Sequence, residues 1–195
     1  MEVDIRKQWI EYEKRQRHTP MPRGINLDLT KTVKDCKLFR LQHPFTCMVS
    51  GMTGCGKTTW VKKLLQNKSI TITQTPQRII WCYSRWQPAY LEMSKTIPEI
   101  EFVKGIPPNI ESDDYFDVSV HNLIVIDDQM SSASNDKQVI NLFTQGSHHR
   151  NLSVIYLVQN LFHQGKGNGG ISLYCHYLVF FKNPRDFFVC FCFRF

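Results

Sequence analysis

A nine-residue stretch, GMTGCGKTT at positions 51–59, constrains what this chain can fold into more than any other. It is a complete G-x-x-x-x-G-K-T pattern. An apolar run, FTCMVS at 45–50, precedes it, and an amphipathic stretch over 57–66 follows. Strand, glycine-rich turn and helix in that order give the pattern a mechanism. Gly51, Gly54 and Gly56 permit backbone angles that a Cβ forbids, so consecutive N–H groups can turn inward around a polyphosphate. The helix start adds unpaired N–H donors and the positive end of its dipole. The expected cradle is therefore the whole loop: Gly51, Met52, Thr53, Gly54, Cys55, Gly56, Lys57, Thr58 and Thr59. Lys57 is expected to reach the β and γ phosphates, and the Thr58 hydroxyl to ligate Mg²⁺. Cys55 reads as a small filler within the turn.

The second anchor is HNLIVIDDQM at 121–130, where four apolar residues end in Asp127-Asp128. A fully buried strand with two carboxylates at its C-terminal end is the Walker B arrangement. Ligands of open α/β sheets sit at that end of the strands. Asp127 is expected to hold Mg²⁺ through water, opposite Thr58. Asp128, one residue on, is placed to polarise an attacking water as general base. Paired acids after a strand are common in turns. Their position downstream of Lys57 in an alternating chain is what gives them weight. A third buried run, LSVIYLV at 152–158, ends in Gln159-Asn160. An amide there can sense a γ-phosphate or orient water; its ordinary alternative is a strand-end cap.

The remaining chain fits an α/β domain with a mostly parallel central sheet of about five strands and flanking helices. RIIWCYS at 78–84 reads as a strand, 100–103 as a short edge strand and 177–181 as the last convincing one. Pro88 can open a helix in which Tyr90, Leu91 and Met93 make apolar contacts. Residues 135–143 read as a capped helix with Val139, Ile140 and Phe143 facing the core. Residues 1–40 form a basic arm, with Lys31, Lys34, Lys37 and Arg40 on one ridge if they are helical. Residues 41–186 are the expected core. The tail at 187–195 carries no clear strand or helix signal and reads as a truncated ending.

Composition removes several classes. With 42% hydrophobic and 21% charged residues, the chain is globular rather than disordered. No apolar run approaches the roughly 20 residues that span a bilayer, so no membrane partner is expected. The charged N-terminus lacks a secretion signal. Seven cysteines, an odd number, fit a reducing, intracellular compartment better than a disulfide framework. Cys190 and Cys192, with Cys175 and His176, lack the paired spacing of a zinc site. A net charge of +7 favours a polyanionic partner. A guanine-specifying N-K-x-D is missing, since residues 182–186 have the wrong order. The loop at 161–170 has one lysine and no arginine, which is poor for a small-molecule kinase lid.

The stretch RNLSVIYLVQNLFHQGKGNGGISLYCHYLVFFKNPRD, from Arg150 to Asp186, resembles a block of the genome-packaging ATPases of Polinton/Maverick elements and adintovirus-like DNA viruses. These belong to the FtsK–HerA superfamily. With GMTGCGKTT and LIVIDD, the likeness covers roughly residues 40–186, in matching order and spacing. It implies a RecA-like P-loop NTPase core whose strand at 152–158 inserts between the phosphate-loop and Walker B strands, with Gln159 as sensor. It further implies ATP and Mg²⁺ as cofactors, ATP hydrolysis, and action on double-stranded DNA by a homo-oligomeric ring. Arg150 would be an arginine finger reaching a neighbouring subunit's site, its ordinary alternative being a surface arginine. A capsid or portal component would be a partner, in the nucleus or at a viral assembly site. The chain departs from the pattern at Gly169-Gly170, and the likeness stops at Asp186. Two alternatives from other classes remain: a nucleotide-binding relict or switch without motor activity, and a helicase-like DNA motor.

Overall fold

The central strand-forming runs of this chain are mainly apolar, which demands cover on both faces of a sheet. The computed structural model describes residues 40–110, 112, 114–127, 140–143, 150–159 and 174–181, with the backbone of 192–194. Its strands are β1 (Thr46–Ser50), β2 (Arg78–Tyr83), β3 (Ile100–Lys104), β4 (Asn122–Asp127), β5 (Leu152–Val158), β6 (Tyr177–Phe180) and β7 (Cys192–Arg194). The helices are α1 (Lys57–Gln66), α2 (Lys68–Thr71) and α3 (Pro88–Thr96). Every residue of β1, β4 and β5 is buried.

The strands form one seven-stranded sheet in the order β3-β2-β4-β5-β1-β6-β7. All pairs are parallel except β6 with β7. β5 thus lies between the Walker B strand β4 and the phosphate-loop strand β1, as the family resemblance implied. The sheet is wider than the expected five strands. β3 is the edge strand read from the sequence, whereas β7 adds a pairing that its aromatic-rich sequence did not signal.

Alternation along each strand divides the core into two layers. Cys47, Val49, Ile79, Trp81, Leu123, Val125, Ile155 and Leu157 face one side, packed with Val61, Leu64 and Leu65 of α1 and Tyr90 and Met93 of α3. Met48, Ile80, Cys82, Ile124, Ile126, Val154, Tyr156 and Val158 face the other, under Ile110, Phe116, Leu142 and Phe143. Two helix-face expectations change. Leu91 is exposed, so α3 buries Tyr90 and Met93 without it. Near residue 140 Leu142 joins Phe143 in the core, while Ile140 is only partly buried.

A polar knot fastens the end of the sheet where the central strands β4 and β5 begin. Asn151 adopts a left-handed backbone (φ 48°) that asparagine tolerates better than most residues. Its side-chain amide donates to the carbonyls of Val118 and Val120. With that amide nitrogen donating, Asn151 Oδ1 is an acceptor, and at 2.8 Å it takes the proton carried by His43 Nε2. A neutral His43 then accepts at Nδ1 from the Ser153 hydroxyl at 2.6 Å, which itself accepts from the Phe45 N–H at 3.1 Å. Burial holds His43 below its ordinary pKa, with the nearby His121 acting in the same direction and the Asn151 hydrogen bond opposing. A neutral imidazole fits both partners.

Several sequence expectations fall outside the described residues: the arm at 1–39 with Lys31, Lys34 and Lys37, Val139, the loop at 161–170, and Cys190. Arg40 is described, and its guanidinium donates to the carbonyls of Ser69 and Ile72 around α2.

Candidate nucleotide site

The phosphate loop leaves the middle of the sheet under tight constraint. The Gly51 N–H donates to the Val158 carbonyl, and the Phe181 N–H donates to the Ser50 carbonyl, so both neighbouring strands hold the exit of β1. A Cβ on Gly51 would lie 2.6 Å from Cys55 Sγ and 2.7 Å from Phe181 Cβ. Only glycine fits. Gly54 (φ 79°) and Gly56 (φ 102°) supply the left-handed turns, and Gly56 caps α1 with no side-chain acceptor. The first turn of α1 therefore keeps its N–H donors for an anion.

Around this loop is a cavity of about 250 Å³, lined by Thr53, Gly54, Gly56, Lys57, Thr58, Thr59, Gln87, Asp127, Leu157 and Gln159. Ligand pockets run from about 300 Å³ upward, so this hollow lies just below the small end of that range. Three strands deliver its polar groups. β1 feeds the loop, β4 ends at Asp127, and β5 carries Gln159 just beyond its last residue. Register explains the convergence, because Asp127 pairs with Leu157, two residues before Gln159. Gly51, Met52 and Cys55 belong to the loop but do not line the cavity.

Lys57 donates from Nζ to the carbonyls of Gly51 and Met52, which holds its ammonium over the loop. Asp127 is only 5% exposed, and its Oδ2 accepts from the Tyr90 hydroxyl at 2.8 Å. Burial, and then the Asp127 carboxylate itself, push the Tyr90 phenol well above its ordinary pKa, so it remains a donor. The oxygen donors fit Mg²⁺. That ion keeps several waters and takes one or two carboxylates plus phosphate oxygens. Asp127 and the Thr58 hydroxyl supply such a partial set. Among the described residues no group of three or more His, Cys, Asp or Glu could cage a metal unaided.

Of the other expected site residues, one is described and stands apart. Asp128 lies outside the described residues. Arg150 precedes β5, at the opposite end of that strand from Gln159, and the seven residues between them that form the strand alone span roughly 20 Å at 3.3 Å per residue. Its Nη1 donates to the Ile110 carbonyl at 3.3 Å, and it does not reach this cavity. Cys175 is buried, which pushes its thiol up to about 12, and His176 Nδ1 lies 2.9 Å from the Thr46 N–H. Both are structural. Sequence reasoning missed Gln87, Tyr90 and Phe181. Only Pro88, a helix-start signal, marked the segment carrying the first two.

Strand order and phosphate-loop geometry together are those of the RecA-like P-loop ATPase fold. The chain is similar to the crystal structure of the RadB recombinase, at 10% identity and a TM-score of 0.52, over 84% of this chain and 93% of that one. It is also similar to the flagellar accessory protein FlaH from Methanocaldococcus jannaschii, at 10% identity and a TM-score of 0.50, over 75% and 76% of the two chains. A third similarity is to the cytoplasmic domain of the Thermomonospora curvata type VII secretion ATPase EccC. There the identity is 12% and the TM-score 0.50, with 69% of this chain covering 20% of that one. No protein-family model and no curated protein matches the chain. No helix among the described residues is long and apolar enough to cross a membrane.

Proposed function

We propose that this chain binds and hydrolyses ATP with Mg²⁺, as a subunit of a motor acting on double-stranded DNA. The observation that carries the reading is that one cavity gathers Lys57, Thr58, Asp127 and Gln159 from three separate segments. Lys57 would exchange its two loop carbonyls for β and γ phosphate oxygens, a short swing for a flexible side chain. Loop N–H groups and the α1 terminus would hold the remaining phosphate charge. Thr58 and Asp127 would hold Mg²⁺, which when bound offsets charge on the β and γ oxygens. Asp128, next in sequence to Asp127, would accept the proton of the attacking water. Gln159 would sense whether the γ-phosphate is present.

The finer reading, genome packaging, rests on the resemblance over residues 150–186 and on the net charge of +7, which suits sequence-independent grip on a phosphate backbone. Arg150 cannot serve its own cavity from the far end of β5. As a finger it would act in a neighbouring subunit of a ring, after giving up its Ile110 carbonyl. A capsid or portal component would then be a partner. ATP turnover of the full chain, measured with and without duplex DNA, tests this reading, with Lys57→Ala and Asp128→Asn as controls. Expected are stimulation by duplex DNA, no strand separation, and loss of turnover in both variants. Wild-type rates equal to those of the variants would leave only a nucleotide-binding switch. Strand separation would favour a helicase-like motor.

A further inference from the structure

One short segment contributes twice to the cavity. Gln87 lines it, and three residues later Tyr90 donates to the Asp127 carboxylate behind it. Pro88 opens α3 between them and fixes where the helix starts, so the two side chains are set together. Tyr90 is fully buried, and its ring is packed from several sides. Phe102 stacks on it with centroids 5.0 Å apart, and Trp81 and Tyr83 lie at 5.6 Å. Trp86 meets it edge-on at 5.4 Å while remaining 53% exposed. Such a cluster allows the phenol little freedom, because interiors packed at this density respond to small shifts as a unit. A carboxylate at the cavity is therefore connected, through one phenol, to an indole in solvent.

We infer that Tyr90 is a positioning residue for the metal-binding carboxylate: its hydroxyl holds Asp127 facing the phosphates, and its ring ties that orientation to Trp86 on the outer surface. The inference rests on the nucleotide reading above. A metal-binding carboxylate that loses one of its hydrogen bonds samples non-binding orientations more often, and apparent affinity falls by the competent fraction. A hydrogen bond to a charged group is strong enough to impose about a tenfold bias. The effect should appear in the Mg²⁺ requirement and not in metal-free nucleotide binding.

The test is calorimetric binding of a non-hydrolysable ATP analogue to the full chain, titrated with Mg²⁺ and repeated in EDTA. Tyr90→Phe keeps the ring and removes the hydroxyl. Its Mg²⁺ half-saturation should rise about tenfold, with affinity in EDTA within twofold of wild type. Phe102→Leu loosens the same cluster but leaves the Tyr90 hydroxyl in place, so its Mg²⁺ half-saturation should rise clearly less than that of Tyr90→Phe. An equal rise in Phe102→Leu would make the effect one of packing and overturn the inference. If Asp127→Asn shifts the Mg²⁺ requirement and Tyr90→Phe does not, the role of Tyr90 is refuted while the site reading stands. If Asp127→Asn shifts nothing, the site reading itself fails. Should Tyr90→Phe not fold, wild-type tryptophan emission still decides the link to the surface. Mg²⁺ added to the analogue complex should change it, and Trp86→Phe should remove that change. A response that persists without Trp86 refutes the link.

Discussion

Replacing Gly51 by alanine adds one methyl group at the most crowded point of the phosphate loop. Gly51 is not among the positive-φ residues, so the backbone tolerates alanine and the cost is steric. The new carbon would stand 2.6 Å from Cys55 Sγ and 2.7 Å from Phe181 Cβ, well inside ordinary contact. The thiol is a side-chain tip and can turn away. Phe181 Cβ cannot, because its own N–H is hydrogen-bonded to the Ser50 carbonyl at 2.8 Å. Overpacking of this kind costs about 1–3 kcal/mol, which lowers the melting temperature of a chain of this length by about 3–10 °C. Thermal melts of Gly51→Ala, Cys55→Ala and the double variant apportion the clash. Cys55→Ala should recover less than half of the loss, since the Phe181 contact remains. Full recovery, or a Gly51→Ala melt within 1 °C of wild type, would refute the packing argument.

Other outcomes follow from the same contacts. His43 is held neutral below its ordinary pKa of 6.5, so the unfolded chain takes up a proton first as the medium is acidified. Stability is therefore full above pH 6.5 and falls below it, by at most about 1.4 kcal/mol per pH unit for this one group. Chemical denaturation across pH 5–8 should show that slope, and His43→Gln should flatten it. Leu65→Ala empties a fully buried position of α1 against the sheet and should cost about 2–5 kcal/mol by urea titration. Lys57→Ala removes the ammonium over the loop and should weaken binding of the non-hydrolysable analogue at least about tenfold.

Features fixed by local pattern were legible in the sequence. The runs ending at Asp127 and Val158 are continuous and apolar because both faces of β4 and β5 are covered, and that burial shows directly in composition. The loop was legible because its glycines answer a backbone requirement, seen at Gly54 and Gly56. Tyr90 was not, since its meaning lies in a hydrogen bond to a residue 37 positions away. Phe181 matters only because β6 lies beside β1 and brings it against Gly51. Leu91 and Ile140 misled for a simpler reason: hydrophobicity states a preference for cover, while helix rotation decides which residue obtains it. Arg150 and Gln159 bracket one strand in sequence, and the fold places only Gln159 at the cavity.

β5 is held on both sides by parallel neighbours, and none of its seven residues reaches solvent. A strand gripped in that way has no internal hinge. It behaves as a stiff spoke through the middle of the domain, with an amide at its hub end and an arginine near its rim. Gln159 and the Asn151 knot thus sit at opposite ends of one continuous, doubly paired element.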